Sequence, residues 1–318
     1  MRVFRHYDEL PANLRGACVA LGNFDGVHRG HRAVIGAAKK LAARNNAPFG
    51  VLTFDPHPRR VFKPDLPPFA LSSFRMKVRL MEEQGADFFC VQHFDEDFAG
   101  ASPDWFIETV LVKGLKVRAI AVGEDFAFGN KRMGNVALLR DRSLELIYEV
   151  VALSAVSDAD GTALSSTRIR NALASGDLDI ANHILGRPWE IEGRVEHGDA
   201  RGRTIGFPTA NVRLGDFQRP RTGVYAVTAG PDEGPDTVWT PGVANFGNRP
   251  TVDGKTELLE VHLFDTDRNL YGIPLRIRFH AFLRPEQKFA DLDALKTQIA
   301  ADAHQARALL AQHLPAGH

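Results

Sequence analysis

Apolar and polar positions follow two different rhythms along this chain. From residue 17 to about 185, short runs rich in β-branched and aromatic residues alternate with segments of helical period. That is the βαβ order which builds a mostly parallel sheet. The runs 17–24, 49–54, 88–91, 117–122 and 144–151 are the expected strands. Ser102-Pro103-Asp104 has the form of a helix start, because a Ser hydroxyl can accept from free amides and Pro fits the first helical position; Gly114 marks the expected stop. Two short helical patterns, split by Ser175-Gly176-Asp177, then carry the chain to Gly186.

After Arg187-Pro188 the rhythm changes. From 189 to about 283 runs of period 2, such as 223–228 and 257–264, are separated by Gly, Pro, Asp and Asn turns at short spacing. This predicts a small β barrel or sandwich. Beyond it Leu292, Leu295, Ile299, Ala303, Ala306, Leu309 and Leu310 recur at helical spacing, a stripe able to close against the barrel. The pattern thus predicts an α/β parallel-sheet domain over 1–185, followed by a small β-barrel domain with a C-terminal helix over 186–318. A length of 318 residues suits two domains.

Composition narrows the function. Lys plus Arg and Asp plus Glu are both 39, a formal charge of +0, so no bulk attraction favours nucleic acid or an anionic membrane, and neither is an expected partner. Any anion site must be local. No run of 18 apolar residues occurs, and the opening MRVFRHYDEL lacks the apolar stretch of a signal peptide. Cys18 and Cys90 sit in apolar, strand-like stretches and read as two buried thiols in a reducing cytoplasm.

Gly22-Asn23-Phe24-Asp25-Gly26-Val27-His28-Arg29-Gly30-His31 follows the first expected strand and runs into a helical pattern. A loop in this position lies at the carboxyl end of a parallel strand, where free helix amides attract phosphate and glycines let the backbone approach. His28 and His31 are three apart, so near a helix start they face the same way and can donate to a crowded phosphate. A zinc pair or a plain tight turn are the other readings; no Cys cluster or H-E-x-x-H supplies further zinc ligands.

Three further segments of the first half carry polar or flat groups. Thr53-Phe54-Asp55-Pro56-His57-Pro58 closes a strand with two prolines that fix a loop bearing Asp55 and His57. Gly123-Glu124-Asp125-Phe126-Ala127-Phe128-Gly129 sets two aromatics between glycines, suited to a flat ligand or to packing inside the domain. Ser165-Ser166-Thr167-Arg168-Ile169-Arg170 places three hydroxyls and two guanidiniums at a helix start, either a clamp for a triphosphate or a plain cap with solvated arginines.

In the second half, Gly202-Arg203-Thr204-Ile205-Gly206-Phe207-Pro208-Thr209-Ala210-Asn211 lacks the Gly-Lys-Ser/Thr of a P-loop. Its glycines still allow amides to meet phosphate, and Thr209 and Asn211, two apart on an extended chain, offer oxygens to Mg²⁺ on one side. A hairpin turn is the alternative. Glu260 lies on the strand face opposite Leu259, Val261 and Leu263, which fits a solvated carboxylate or a base beside a hydroxyl.

These segments, in this order and spacing, resemble the bacterial bifunctional riboflavin kinase/FAD synthetases. The G-x-F-D-G-V-H-x-G-H loop, D-P-H-P and S-S-T-x-I-R match the adenylyltransferase half. G-R-x-x-G-F-P-T-A-N, Gly223-Val224-Tyr225-Ala226, N-R-P-T and Glu260-Val261-His262 match the kinase half, and the likeness covers roughly residues 15 to 290. The resemblance implies an enzyme with two activities: riboflavin is phosphorylated by ATP to FMN, and FMN is adenylylated to FAD. It implies that His28 and His31 meet ATP phosphates, with Gly22, Phe24, Gly30, Ser165, Ser166, Thr167 and Arg170 in the same nucleotide site, and that Asp55, Asp125, Phe126 and Phe128 hold flavin. It further implies that Gly202, Gly206 and Thr209 bind the kinase ATP, that Thr209 and Asn211 hold Mg²⁺, and that Glu260 takes the proton from the ribityl hydroxyl. The readings set against it are a nucleotidylyltransferase for another phosphorylated acceptor, disfavoured by G-F-P-T-A-N, and a flavin-binding regulator, which would lack Glu260 or the His pair.

Overall fold

The computed structural model describes residues 1–197, 207–251, 254–266 and 268–311, with 248–251 and 254–256 described by backbone alone. Its contacts divide the chain into two units, one of Met1–Pro67 and Phe74–Ser165, the other of Pro68–Ser73 and Ser166–His318.

The first unit is built on strands β1 (Arg2–Phe4), β2 (Cys18–Leu21), β3 (Phe49–Asp55), β4 (Phe88–His93), β5 (Ala119–Gly123) and β8 (Glu149–Leu153), with a small antiparallel ribbon of β6 (Ala127–Phe128) and β7 (Gly134–Asn135). The six main strands are all parallel, in the order β1-β4-β3-β2-β5-β8. Successive strand residues point to opposite faces. Val19, Leu21, Leu52, Cys90 and Ile120 therefore share one core, while Cys18, Ala20, Val51, Val91 and Ala121 share the other with Val34, Ile35 and Ala38 of the helix Arg29–Asn45. Both faces are covered, as a parallel sheet requires. Cys18 and Cys90 are buried, unbonded and on opposite faces, and burial pushes the Cys90 thiol up to about 12.

The helix start at Ser102 is present: its Oγ accepts from the Trp105 amide at 3.1 Å. The expected strand 144–151 is corrected to Glu149–Leu153, because the helix Val136–Leu146 runs through its first part. That helix is capped by Asn135 Oδ1, which accepts from the Leu138 amide at 3.0 Å, and ends on Ile147 in a left-handed conformation. The alternation Leu144-Glu145-Leu146 is the last helical turn, not a strand. The three-residue β1 at the sheet edge is too short to leave a periodic signal.

The second unit is a closed antiparallel barrel of β9 (Trp189–Glu196), β10 (Ala210–Val212), β11 (Gly223–Pro231), β12 (Thr240–Thr251), β13 (Gly254–Leu263) and β14 (Pro274–Arg284), in the order β10-β13-β12-β11-β14-β9. Trp189, Tyr225, Phe246 and Phe279 are fully buried on the face that fills it. On the other face Val224, Ala226, Val243 and Phe264 meet Ala306 and Leu310 of the C-terminal helix Leu292–Leu310. Arg284 fastens this helix with a forked pair of bonds to Asp302 at 2.9 and 2.7 Å. Leu292, at the head of the expected stripe, is exposed, and the packed contacts come from the last turns.

Helices Ser166–Ser175 and Leu178–Leu185 belong to this second unit. Asn182 tethers them to the barrel, accepting from the Trp189 amide at 2.7 Å and donating to the Phe279 carbonyl at 3.0 Å. A buried ion cluster completes the unit. Arg276 Nε donates to Glu190 Oε1 at 2.7 Å, Arg278 Nε donates to Glu190 Oε2 at 3.0 Å, and the Arg278 guanidinium lies 3.6 Å over the Trp239 ring.

Candidate functional sites

In the first unit β2 has β3 on one side and β5 on the other, so the chain leaves β2 where the strand order reverses. Ligands of open parallel sheets bind in the crevice at this point, outside the carboxyl ends of the strands. Loop 22–28 lies there and feeds the helix Arg29–Asn45. Phe24 and Val27 hold φ of 47° and 43°, a left-handed conformation that costs free energy in residues bearing a Cβ and persists only where the surroundings enforce it. Here Phe24, Asp25 and Val27 are all buried, and the Thr53 hydroxyl donates to the Asn23 carbonyl at 3.1 Å.

His28 is the helix N-cap, and its Nδ1 accepts from the His31 amide at 3.3 Å. Since Nδ1 accepts, the neutral ring carries its proton on Nε2, leaving that nitrogen as a donor. The two imidazoles stack with centroids 3.6 Å apart, and His31 meets the Phe24 ring edge-on at 5.4 Å. A Cβ at Gly30 would lie 3.1 Å from the His28 ring and 3.5 Å from the Leu164 carbonyl, so glycine there lets the segment entering Ser165 come up to the histidine. Gly22 makes similar room for the Phe24 ring at 3.1 Å. The sequence-predicted His28, His31, Gly22, Phe24, Gly30 and Ser165 are therefore brought together within one unit.

Asp55 ends β3, half-exposed, 3.7 Å from Arg5. His57 is a helix cap, with Nδ1 accepting from the Arg59 amide at 3.1 Å. Asp125 is exposed beyond β5, and Phe126 stacks on Phe128 at 5.7 Å. Phe128 itself is a core ring against Phe106 at 5.2 Å and half-buried Phe126 packs against the same core, so Glu124 and Asp125 are the exposed residues of that segment. Ser166, Thr167 and Arg170 lie in the helix Ser166–Ser175 of the second unit, where Arg170 Nε donates to the Phe69 carbonyl at 2.8 Å.

On the barrel, Asn211 of β10 stands directly opposite Glu260 of β13, which stands directly opposite Asn245 of β12. Residues paired this way project to the same face, so three polar side chains form one row across three strands. Asn211 is only 6% exposed, and its Oδ1 has no hydrogen-bond partner among the described residues. A buried carbonyl oxygen left unsatisfied costs about 1–3 kcal/mol, which fits a position that a cation or a donor occupies in the working state. Thr209, two residues earlier, is held near this row: His262 Nδ1 donates to the Pro208 carbonyl at 2.8 Å. Thr209 and Asn211 line a cleft with Val261, Leu263, Thr266 and Tyr271. Neutral oxygens of Thr and Asn suit a hard cation such as Mg²⁺ when phosphates complete the shell. Among the described residues no group of three His, Cys, Asp or Glu offers a different metal site. Gly202 and Gly206 lie outside the described residues.

Sequence reasoning missed two residues. Asn245 gives no local signal, since its place beside Glu260 is set by long-range register; its Nδ2 donates to Glu286 at 3.4 Å. Lys77, at 6% exposure, sits on the buried face of helix Phe74–Glu83 with Met76, Leu80 and Met81, and a lysine at a core-facing helical position is the signal that could have found it. Burial lowers its pKa, while the charges of Asp25 and Asp55 act in the opposite direction.

The chain matches a family model for FAD synthetase over residues 10–168 and one for riboflavin kinase over residues 185–310. It is 42% identical over 318 residues, 99% of this chain and 100% of the relative, to the bifunctional riboflavin kinase/FMN adenylyltransferase of Escherichia coli K12. The protein of the same name from Bacillus subtilis is 39% identical, covering 91% of this chain and 90% of its own. Among solved structures, one described as a macrolide-efflux protein from Streptococcus pneumoniae superposes with a TM-score of 0.85 at 30% identity, covering 96% of this chain and 98% of that one. No described helix of the present chain is long and apolar enough to cross a membrane.

Proposed function

Because the chain belongs to the bifunctional riboflavin kinase/FMN adenylyltransferase family, we propose a residue-by-residue division of its two reactions. The protein phosphorylates riboflavin to FMN with ATP and transfers AMP from a second ATP to FMN, giving FAD and pyrophosphate. The activities divide near residue 185, a reading supported by the separate spans of the two family models.

In adenylylation the phosphate oxygen of FMN attacks the α-phosphorus of ATP and pyrophosphate leaves. Nε2–H of His28 and the ring of His31 donate to the oxygens on which charge builds, the kind of preorganised donation that favours a transition state over the ground state. Gly22, Phe24 and Gly30 shape the backbone around the nucleotide, and Ser165 of the same unit meets its phosphates. Asp55, Asp125 and Phe126 border the flavin, with Phe128 backing Phe126 from the core. In phosphorylation Glu260 orients the ribityl hydroxyl and accepts its proton as that oxygen attacks the γ-phosphorus. Gly202, Gly206 and Thr209 meet the ATP phosphates, and Thr209 and Asn211 hold Mg²⁺ there. When bound, the metal neutralises charge on the transferring phosphoryl group. The observation that carries this reading is the row Asn211–Glu260–Asn245 with its unsatisfied oxygen. The buried, unbonded thiols of Cys18 and Cys90 support a reducing cytoplasmic setting.

Chromatography of products from riboflavin, ATP and Mg²⁺ tests the assignment. The unmodified protein yields FMN and FAD, His28→Ala accumulates FMN, and Glu260→Gln still converts supplied FMN to FAD. Loss of both products in either folded variant would defeat the division.

A further inference from the structure

We infer that His262 is a positioning residue for phosphorylation: by holding the Pro208 carbonyl it fixes the backbone at Thr209, next to the row of Asn211 and Glu260. The inference rests on the reading that Thr209 and Asn211 meet the ATP phosphates and Mg²⁺, which Thr209→Val tests by itself.

Thr209 stands one residue short of a ladder. Pairing of β10 with β13 begins at Ala210, opposite Val261, and pairing with β9 begins at Asn211, opposite Glu196. Ahead of Thr209 lies Phe207-Pro208. Pro208 has a fixed φ and no N–H to give to a sheet, and it keeps Phe207 extended, so the pair is a stiff unit whose carbonyl can be held from outside. His262 holds it, with Nδ1 2.8 Å from the Pro208 oxygen. A carbonyl can only accept, so the neutral His262 ring carries its proton on Nδ1, the opposite of the arrangement in His28. Thr209 is thereby bracketed, by the β10 ladder on one side and by this bond on the other.

The donor is itself well supported. His262 is two residues from Glu260 on β13 and so on the same face. Its ring meets Phe207 edge-on at 5.4 Å and Phe264 edge-on at 5.9 Å. Phe264 is 3% exposed, packs with Ala306 and Leu310 of the C-terminal helix, and has the Arg307 guanidinium 4.3 Å from its ring centre. One strand thus carries both the carboxylate assigned as base and the imidazole that anchors the phosphate-binding segment. Without the anchor Phe207, Pro208 and Thr209 are free to shift against Asn211, and a misplacement of about 1 Å is enough to cost on the order of 10²-fold in rate.

The test separates the donor from the ring. His262→Phe keeps an aromatic ring between Phe207 and Phe264 and removes the donor, whereas His262→Asn removes the ring and keeps a donor, since Nδ2 of Asn has about the reach of Nδ1 of His. These variants, Thr209→Val and the double variant Thr209→Val/His262→Phe are made in the full chain. Steady-state kinase assays with Mg²⁺ give kcat and separate KM values for ATP and riboflavin, and conversion of supplied FMN to FAD is the internal control. The positioning role predicts that His262→Phe loses roughly 10–100-fold in kcat/KM for ATP, with the KM for riboflavin and adenylylation within about twofold of the parent. It predicts that His262→Asn lies within about threefold of the parent, and that His262→Phe costs less than about twofold when added to Thr209→Val, because its effect passes through Thr209. A ring that only packs predicts the reverse order, with Asn worse than Phe, and that order overturns the proposal. So does an unchanged His262→Phe, a loss shared by adenylylation, or full additivity of the two substitutions. If Thr209→Val leaves kinase kinetics unchanged, the reading of the ATP site fails and His262 loses its role with it; if Thr209→Val is impaired and His262→Phe is not, only the role of His262 fails. Should His262→Phe not fold, His262→Leu, which also lacks the donor, replaces it in the ATP and additivity comparisons, with the same outcomes deciding.

Discussion

Replacing Asn211 by Leu should make the protein more stable and a poorer kinase at once. The two side chains are close in shape, so the substitution removes a buried polar group without opening a cavity. Oδ1 of Asn211 is buried without a partner among the described residues, and such an oxygen costs about 1–3 kcal/mol. Removing it should return that amount to the ligand-free protein. At roughly 2–4 °C per kcal/mol for a domain of about 150–250 residues, the melting temperature of the barrel unit should rise by roughly 2–12 °C. The same change deletes an oxygen assigned to Mg²⁺ and should lower kcat/KM for riboflavin phosphorylation by about 10²-fold, the scale of one lost electrostatic contact in a transition state. Thermal unfolding of the ligand-free variant measures the first effect, and steady-state kinase kinetics the second. A third reading comes from ADP with Mg²⁺, which should raise the melting temperature of the parent far more than that of the variant. A lowered melting temperature would mean that the oxygen is satisfied in the folded protein. Kinase activity within threefold of the parent would remove Asn211 from the site.

His28→Ala or His31→Ala should reduce FAD formation by roughly 10²–10³-fold and leave riboflavin phosphorylation unchanged, checked by separate assays of each half-reaction. Glu260→Gln should lower kinase kcat by a factor within the roughly 10²–10⁴ range of general-base catalysis, with adenylylation intact; an unchanged kcat would return Glu260 to the role of a solvated strand residue. Burial alone would raise the carboxyl of Glu190, yet the hydrogen bonds and charges of Arg276 and Arg278 outweigh it and hold the group below its ordinary range. Its contribution is therefore present above the unfolded-state value and lost as pH falls through the depressed folded one. Glu190→Ala should cost about 3–5 kcal/mol by removing the carboxylate hydrogen-bonded to buried Arg276, whose other carboxylate, Asp232, lies 4.0 Å away, and it should flatten the acid limb of a stability–pH profile. A fragment of residues 186–318 should fold and phosphorylate riboflavin but melt below one of residues 166–318, which keeps the Asn182 bonds to Trp189 and Phe279. Equal melting temperatures would show those helices to be dispensable to the barrel.

What could be read from the chain alone was local. The His28 loop announces itself because an apolar strand, two glycines and a helical pattern adjoin in sequence, and the outward face of Glu260 follows from a period of two. Hidden were relations between distant residues. Asn245 joins Glu260 only because β12 and β13 pair in one register, and helices Ser166–Ser175 and Leu178–Leu185, adjacent in sequence to β8, fold with the barrel through bonds such as that from Asn182 to Phe279. Lys77 escaped because its burial is set by how helix Phe74–Glu83 packs onto the sheet and not by any nearby motif. The misplaced start of β8 is the reverse error, in which Leu144 and Leu146 mimic strand alternation within a capped helix.

The position of β13 between β10 and β12 makes proofreading and chemistry one constraint. A slip of this strand by a single residue would turn Leu259 or Val261 outward and drive Glu260 into the filled interior of the barrel. With partners on both edges, such a slip would have to break two ladders together, and it would bury a carboxylate among Trp189, Tyr225 and Phe279. A misthreaded molecule would thus be both inactive and unstable, leaving no folded population that binds substrate unproductively. For the evolution of this strand, insertions and deletions of one residue are closed to it, whereas exchanges of outward-facing side chains remain open, so new acceptor alcohols would be explored by substitution on a register that does not move.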